Sequence, residues 1–388
     1  MVALLGASGF VGSHLMRGLR ERGECVRPVV RRSDSLPNET DRRVADACDV
    51  YALRHAFRGC DTVVHAALGS EDVIVGSVAP VYAAAQAVGV RRLVYISTGS
   101  VHGQVPAPGS DERSRLTVSH LFPYNTAKVR AERRLLRLRH RGTVELVMLR
   151  PTIVFGPGSR WVFDFAWALQ DGGAYLVDGG AGICNTIYVD NLAHAVWLSL
   201  SAPASKVDGE AILVSDAETV TWRDLYQPIA TALGYSLDNV PSVSPPSPAM
   251  GWRQKYYQPF KSSDFGKAVL RAVPESAKAS LRKIKRTLRG RRLSIDESRG
   301  AIVSGGGPPT PGSSENTLPP QRTPQPTAEM IALQRCHWRF PNDKARAALG
   351  YTAPVTFEEG CRRSVEWLLE EDRRRRATYR PAGERIAG

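Results

Sequence analysis

Short apolar runs alternate with longer amphipathic stretches through the first 150 residues. The runs lie at 2–5 (VALL), 25–30 (CVRPVV), 62–67 (TVVHAA), 92–97 (RLVYIS) and 144–150 (VELVMLR). Several are nearly continuous in apolar residues, the pattern of strands covered on both faces of a parallel sheet. Between them, the stretches 9–23 and 79–90 read as helices. In 121–138, Leu121, Phe122, Ala127, Ala131, Leu135 and Leu138 recur at helical spacing. This alternation predicts an α/β fold built on a doubly wound parallel sheet.

Past Pro151 the rhythm changes. Helices are expected at 160–170, 191–201 and 221–234, the last with Thr221 as N-cap and Gly234 as stop. Short strands are expected within 185–191 and 209–216. The pattern degrades between Asn239 and Thr327, where a basic, weakly amphipathic stretch precedes a Gly/Pro/Ser/Thr-rich run expected to be disordered. Order is expected to resume near Ala328, with closing helices within 340–351 and 356–371. The organisation read from this is an α/β domain over 1–150 and a smaller part over 151–238 and 328–372. An insert over 239–327 and a fraying tail over 373–388 complete it.

Composition narrows the class. Hydrophobic residues make up 43% of 388, ordinary for a globular protein. No apolar run reaches the ~18–20 residues of a membrane span. Six scattered cysteines without a C-x-x-C suit reduced thiols in the cytoplasm, and suit neither a disulfide frame nor a metal site. The net charge is +14, and 251–300 holds fourteen Lys/Arg against four Asp/Glu. That excess suits an acidic membrane surface, nucleic acid or phosphorylated substrates. Confined to one insert-like stretch, it says little about the rest of the chain, and a solvated insert accounts for it equally.

Three constellations carry chemistry. Gly6, Gly9 and Gly12 stand between the first strand and the first helix. There glycines let the backbone approach a pyrophosphate, and the helix N-terminus supplies N–H groups and a positive dipole end. Arg31 and Arg32 follow the second strand, where an acid usually grips the ribose of NAD; two guanidiniums favour NADP, with NAD the alternative. Asp46 is a candidate for an adenine contact. Ser97, Thr98 and Ser100 end a strand where such sheets bind ligands. Tyr124 and Lys128, four apart, share one helix face. An ammonium beside a phenol is expected to lower its pKa, and with a Thr hydroxyl the pair makes a proton relay for hydride transfer.

The strings GASGFVG, DTVVHAA, YISTGSVHG, YNTAK, LRPTIVFGPG and YVDNLAHA, with the closing FPNDKARAALGY and TFEEGCRRSVEWL, resemble the extended short-chain dehydrogenase/reductases. The closer likeness is to their NAD(P)-dependent epimerase/dehydratase group, over about 1–235 and 328–370. The resemblance implies a Rossmann sheet, Tyr124 as acid/base, Lys128 on the nicotinamide ribose, and Thr98 as the aligned hydroxyl. It further implies dinucleotide contacts from Gly6, Ser8, Gly9, Phe10, Val11 and Gly12, from Ala66 and Ala67, and from Pro151. Helices of this family often pair, so a homodimer is expected.

Departures narrow the reaction. Sugar-nucleotide dehydratases of the family carry Asp-Glu directly after the Thr, whereas Gly99 and Ser100 stand here, which disfavours dehydration and decarboxylation. Reduction, oxidation and epimerisation through a ketone remain. The leading expectation is a nucleotide-linked sugar, with Ser100, His102 and Asn185 as substrate contacts; His102 also reads as a packing variant. Asn185 stands where many relatives keep an arginine for the diphosphate. The YVDNLAHA wording equally resembles the 3β-hydroxysteroid dehydrogenase branch, for which 253–292 would lie on a membrane surface. A third class is a non-catalytic dinucleotide sensor or nucleic-acid binder. The proton-relay residues argue against it, and no nucleic-acid partner is expected.

Overall fold

A computed structural model describes residues 1–246 and 322–378, with side chains to 374. In chain order the elements are β1 (Val2–Leu5), α1 (Phe10–Arg20), β2 (Val26–Val30), β3 (Arg43–Val44), α2 (Val50–Phe57), β4 (Thr62–His65), α3 (Glu71–Ala87) and β5 (Arg92–Ile96). They continue with α4 (Pro123–Arg139), β6 (Glu145–Pro151), β7 (Ile153–Phe155), α5 (Arg160–Gln170), β8 (Leu176–Val177), β9 (Thr186–Tyr188), α6 (Val189–Ser201), α7 (Ala204–Val207) and β10 (Glu210–Val214). The last are α8 (Trp222–Ala232), β11 (Ser242–Val243), α9 (Ala328–Leu333), α10 (Asp343–Leu349) and α11 (Phe357–Thr378).

Seven strands form one parallel sheet in the order β10-β6-β5-β4-β1-β2-β3. Side chains alternate across it. Val2, Leu4, Val64, Val94, Val147 and Leu149 face a core shared with α1, α6 and α10. Ala3, Leu5, Val63, Leu93, Leu146 and Met148 face one shared with α2, α3 and α4. The strand order reverses at β1, so the carboxyl ends of β1 and β4 diverge and leave a crevice. Beyond residue 150 the chain divides its elements. β10 pairs with β6, and α6 and α10 cover the main sheet. A third apolar cluster gathers α5, α8, α9 and α11 around Trp222 and Tyr226.

Polar side chains weld these layers. Arg92 is buried and donates to the carbonyls of Ser199 (2.6 Å), Leu200 (3.1 Å) and Ala202 (2.7 Å), capping the C-terminus of α6. In the YVDN string, Asp190 meets His14 and Arg17 of α1. Asn191 donates to Asp216 (2.7 Å) and to the Val355 carbonyl (2.8 Å). The central weld is Glu132 of α4 with Arg150 of β6. Their closest N···O distance is 2.7 Å, and the side chains are 2% and 5% exposed. Ser97, at the end of β5, donates to the same carboxylate at 2.5 Å.

Three sequence expectations shift. α3 starts at Glu71, eight residues ahead of the stretch read as helical, because Glu71 and Asp72 suit the positive end of a helix and Pro80 is accommodated inside it. The strand within 185–191 stops at Tyr188, where α6 begins directly. α11 runs to Thr378, past the point where the tail was expected to fray, with Arg374 and Glu370 paired at i,i+4. The N-cap role of Thr221 is present as a capping box with Asp224. The basic stretch 253–292 lies outside the described residues. Among the described residues no helix is long and apolar enough to cross a membrane.

Arg150→Met leaves Glu132 buried without its partner. The expected loss is about 3–5 kcal/mol of unfolding free energy, read from denaturant melts.

Candidate active site

The carboxyl ends of β1, β4, β5 and β6 open into one cavity of about 890 Å³, large enough for a cofactor and a substrate. Gly6, Ser8, Gly9, Phe10, Val11, Gly12, Ala66, Ala67 and Pro151 all line it. The three glycines have different reasons. Gly6 has φ +88°, and a Cβ there would lie 2.7 Å from the Ala67 Cα. A Cβ on Gly12 would lie 2.0 Å from the Gly6 carbonyl oxygen. Gly9 meets only that oxygen, at 3.4 Å, so no packing of the chain itself requires a glycine there. Its missing side chain keeps open the space before the N-terminus of α1, a cradle that fits a dinucleotide pyrophosphate.

At the far end, Arg31 and Asp46 line the cavity, and the Asp46 carboxylate accepts from the Cys48 N–H at 2.8 Å. Arg32 is not brought there. It is largely exposed and pairs with Asp34 at 3.2 Å, because the residue after Arg31 at a strand end points to the opposite side. Of the two guanidiniums expected around a 2′-phosphate, Arg31 alone lines the cavity.

Thr98, Tyr124, Lys128 and Ser100 converge on the cavity. The Thr98 and Ser100 hydroxyls are 2.9 Å apart, and Thr98 also hydrogen-bonds Tyr124. Lys128 is buried; its Nζ donates to the Ile96 carbonyl at 2.7 Å and lies 4.8 Å from the Tyr95 ring centre and 5.9 Å from that of Tyr124. Burial pulls the Lys128 pKa down to about 8, against the opposing pull of Glu132. The Tyr124 phenol moves opposite to the sequence expectation. Burial pushes it up to about 12, opposed by the Thr98 hydrogen bond and assisted by the charge of Glu329. Desolvation of the phenolate outweighs the neighbouring ammonium, whose proton is directed at Ile96.

Two expected substrate contacts have other work. His102 lies outside the cavity lining, tilted on Phe340 and 3.3 Å from an Arg150 nitrogen. Burial holds its pKa down, at about 4, so it is a neutral packing group. Asn185 touches the cavity, but its amide donates to the Trp338 carbonyl at 2.9 Å and accepts from the Phe340 N–H at 2.9 Å. It staples the 336–340 loop, which leaves its polar atoms committed. His65, from the DTVVHAA string, is buried below the site against Tyr95, 3.1 Å from Ser77, and burial drops its pKa to about 3.

Much of the wall carries no local mark in the sequence. Gln104, Arg160, Trp161, Glu329, Leu333, Cys336 and Phe340 all line it. The helix bearing Arg160 and Trp161 was legible as a helix, but its facing toward the cavity was not. Nothing local marked Glu329 or Leu333, which reach the cavity from beyond residue 321.

The profile of the NAD dependent epimerase/dehydratase family matches residues 2–215. A 2-alkyl-3-oxoalkanoate reductase of Stenotrophomonas maltophilia is 32% identical over 256 residues, covering 60% of this chain and 76% of that protein. A 3β-hydroxysteroid dehydrogenase/Δ5→4-isomerase of Mycobacterium tuberculosis is 28% identical over 274 residues, covering 65% and 73%. The structure of a UDP-glucose 4-epimerase of Thermotoga maritima with UDP-glucose superposes with a TM-score of 0.63 at 16% identity, over 95% of this chain and 99% of that one.

Two alanine variants separate the roles of the glycines. Gly12→Ala is expected to destabilise the fold, because the new methyl meets backbone. Gly9→Ala is expected to keep its melting temperature while losing dinucleotide affinity by about tenfold or more. Thermal melts and dinucleotide titrations on both variants check the contrast.

Proposed function

Because the chain belongs to the NAD dependent epimerase/dehydratase family, we propose that it moves hydride between a nicotinamide dinucleotide and a carbinol or ketone carbon of a substrate with a largely apolar body. The observation that carries this is the convergence of Thr98, Tyr124 and Lys128 on one cavity with the glycine turn. When bound, the nicotinamide supplies or accepts the hydride. Tyr124 holds its proton through neutral pH, since burial raises its pKa to about 12. It is therefore set to donate that proton to a carbonyl oxygen, which favours the direction of ketone reduction. The Thr98 hydroxyl is placed to share that oxygen. No carboxylate directly follows Thr98 in the chain, which argues against loss of water.

The apolar body is supported by the wall. Ile153, Trp161, Ile183, Leu333 and Phe340 line it, while Gln104 is paired with Asn125 and Asn185 with the 336–340 loop. The two sequence relatives are named for an oxoalkanoate and a hydroxysteroid, both with extended hydrocarbon. A nucleotide-linked sugar is the second reading. Arg160, at the head of α5, puts a cation on the wall that suits a diphosphate, although it pairs with Asp164 at 3.4 Å.

Tyr124→Phe is expected to lower kcat/KM by about 10²–10⁴ while still binding the dinucleotide; normal turnover would remove the assignment. The pH dependence follows the sign of the Tyr124 shift. A proton held up to about pH 12 leaves ketone reduction flat between about pH 5 and 7, below the Lys128 pKa of about 8. Carbinol oxidation, which needs the phenolate, rises about tenfold per pH unit over the same window. Initial rates in both directions test it.

For the cofactor, we propose that Arg31 grips the 2′-phosphate of NADP. Arg31→Ala is expected to weaken NADPH by about tenfold or more with NADH little changed, and Arg32→Ala to change neither. Equal affinity of the native protein for both dinucleotides would sink this part.

A further inference from the structure

The substrate end of the cavity has few polar groups left to meet a ligand. Gln104 and Asn185 are committed to protein partners, Ser100 bonds Thr98, and Thr98 with Tyr124 is assigned to the reacting oxygen. Arg160 pairs with Asp164, lies 5.2 Å from the Trp161 ring centre, and is 68% exposed. Glu329 differs. It lines the same cavity as Tyr124, and among the described residues its carboxylate has neither a hydrogen bond nor an ion pair.

Its backbone is held from several sides. Thr327 caps α9 by accepting from the Met330 N–H at 3.2 Å, and the Thr327 N–H donates to the Tyr175 hydroxyl at 3.2 Å. Trp222 Nε1 donates to the Leu333 carbonyl at 3.0 Å. Gln334, buried, accepts from the Val177 N–H at 2.7 Å. A side chain on Gly182 would lie 1.9 Å from the Gln334 carbonyl oxygen, so α9 is seated against that loop without slack. A half-buried carboxylate on a fixed backbone, with no partner among the described residues, acts on any charge that enters beside it.

Resting on the reading of an apolar ketone or carbinol substrate, we propose that Glu329 is a specificity-determining residue. It hydrogen-bonds a donor group near the reacting carbon and rejects substrates that carry an anion there. Its charge already reaches Tyr124, where it favours the protonated phenol. A β-oxo acid would bring a carboxylate to the same end of the cavity. The chemistry therefore sets this chain apart from an oxoalkanoate-type substrate and points to a neutral, hydroxylated or amine-bearing one.

The test is calorimetric binding to the full chain saturated with dinucleotide, on two matched scaffolds. One pair is 2-nonanol and 3-hydroxydecanoate, identical but for the carboxylate. The other is uridine and UDP. The native protein is expected to bind the neutral alkyl member more tightly than the acid by about tenfold or more. Glu329→Gln should close that gap by tightening the acid, while leaving dinucleotide affinity unchanged. A gap that persists in Glu329→Gln, or a native preference for the acid, overturns the role of Glu329. If only the uridine pair binds, the apolar-body reading falls. In that case, a penalty on UDP that is relieved in Glu329→Gln upholds the anion exclusion, and the lack of one overturns it. Binding of neither scaffold overturns both.

Discussion

Glu132 and Arg150 are an ion pair taken almost wholly out of water, and the geometry of the site hangs on it. Removing two charges from solvent costs several kcal/mol per ion, so such a pair survives only with good geometry and further hydrogen bonds. Here Arg150 donates to both carboxylate oxygens, from Nε at 3.0 Å and from Nη2 at 2.7 Å, and Ser97 adds a third donor. The three residues come from α4, β6 and the end of β5. Glu132 lies one helical turn beyond Lys128, Ser97 precedes Thr98, and Arg150 precedes Pro151. One buried cluster thus sets the register of every element that carries a proposed catalytic group. A partly satisfied version would be worse than an apolar one.

The same burial sorts the protonation states around the cavity. His65 and His102 are held neutral because imidazolium is costly to desolvate. Tyr124 is held protonated because phenolate is costly for the same reason. Lys128 follows them part of the way, to about 8, with Glu132 opposing the shift; its ammonium meets the Ile96 carbonyl and the Tyr95 ring. The phenol of Tyr124 is left protonated beside the Thr98 hydroxyl.

The cavity has two ends of different origin. Its dinucleotide end is made by consecutive strand termini of the sheet, where backbone and small residues dominate. Its substrate end is assembled from α5, the loop before β9, and α9 with the 336–340 loop, which enter from beyond residue 321. Asn185 joins the loop before β9 to the 336–340 loop, its amide spent on that contact. This is why a position read as a ligand contact became a structural staple.

The strands, the glycine turn and the Tyr124/Lys128 helix were legible because each is written in local spacing. Period-two and period-3.6 apolar patterns are determined within a few residues, and a Gly-x-x-Gly-x-x-Gly turn needs only its own backbone. On those grounds the sheet, the glycine turn and the cavity-lining Thr98, Tyr124 and Lys128 could be named from the chain alone. The sequence could not tell that Arg32 turns away to Asp34, that His102 packs on Phe340, or that Tyr124 is raised rather than lowered. It also could not bring Glu329 opposite Tyr124 across some two hundred residues. Each of these depends on which side chains share a low-dielectric space, and that sharing exists only after long-range packing has excluded the water.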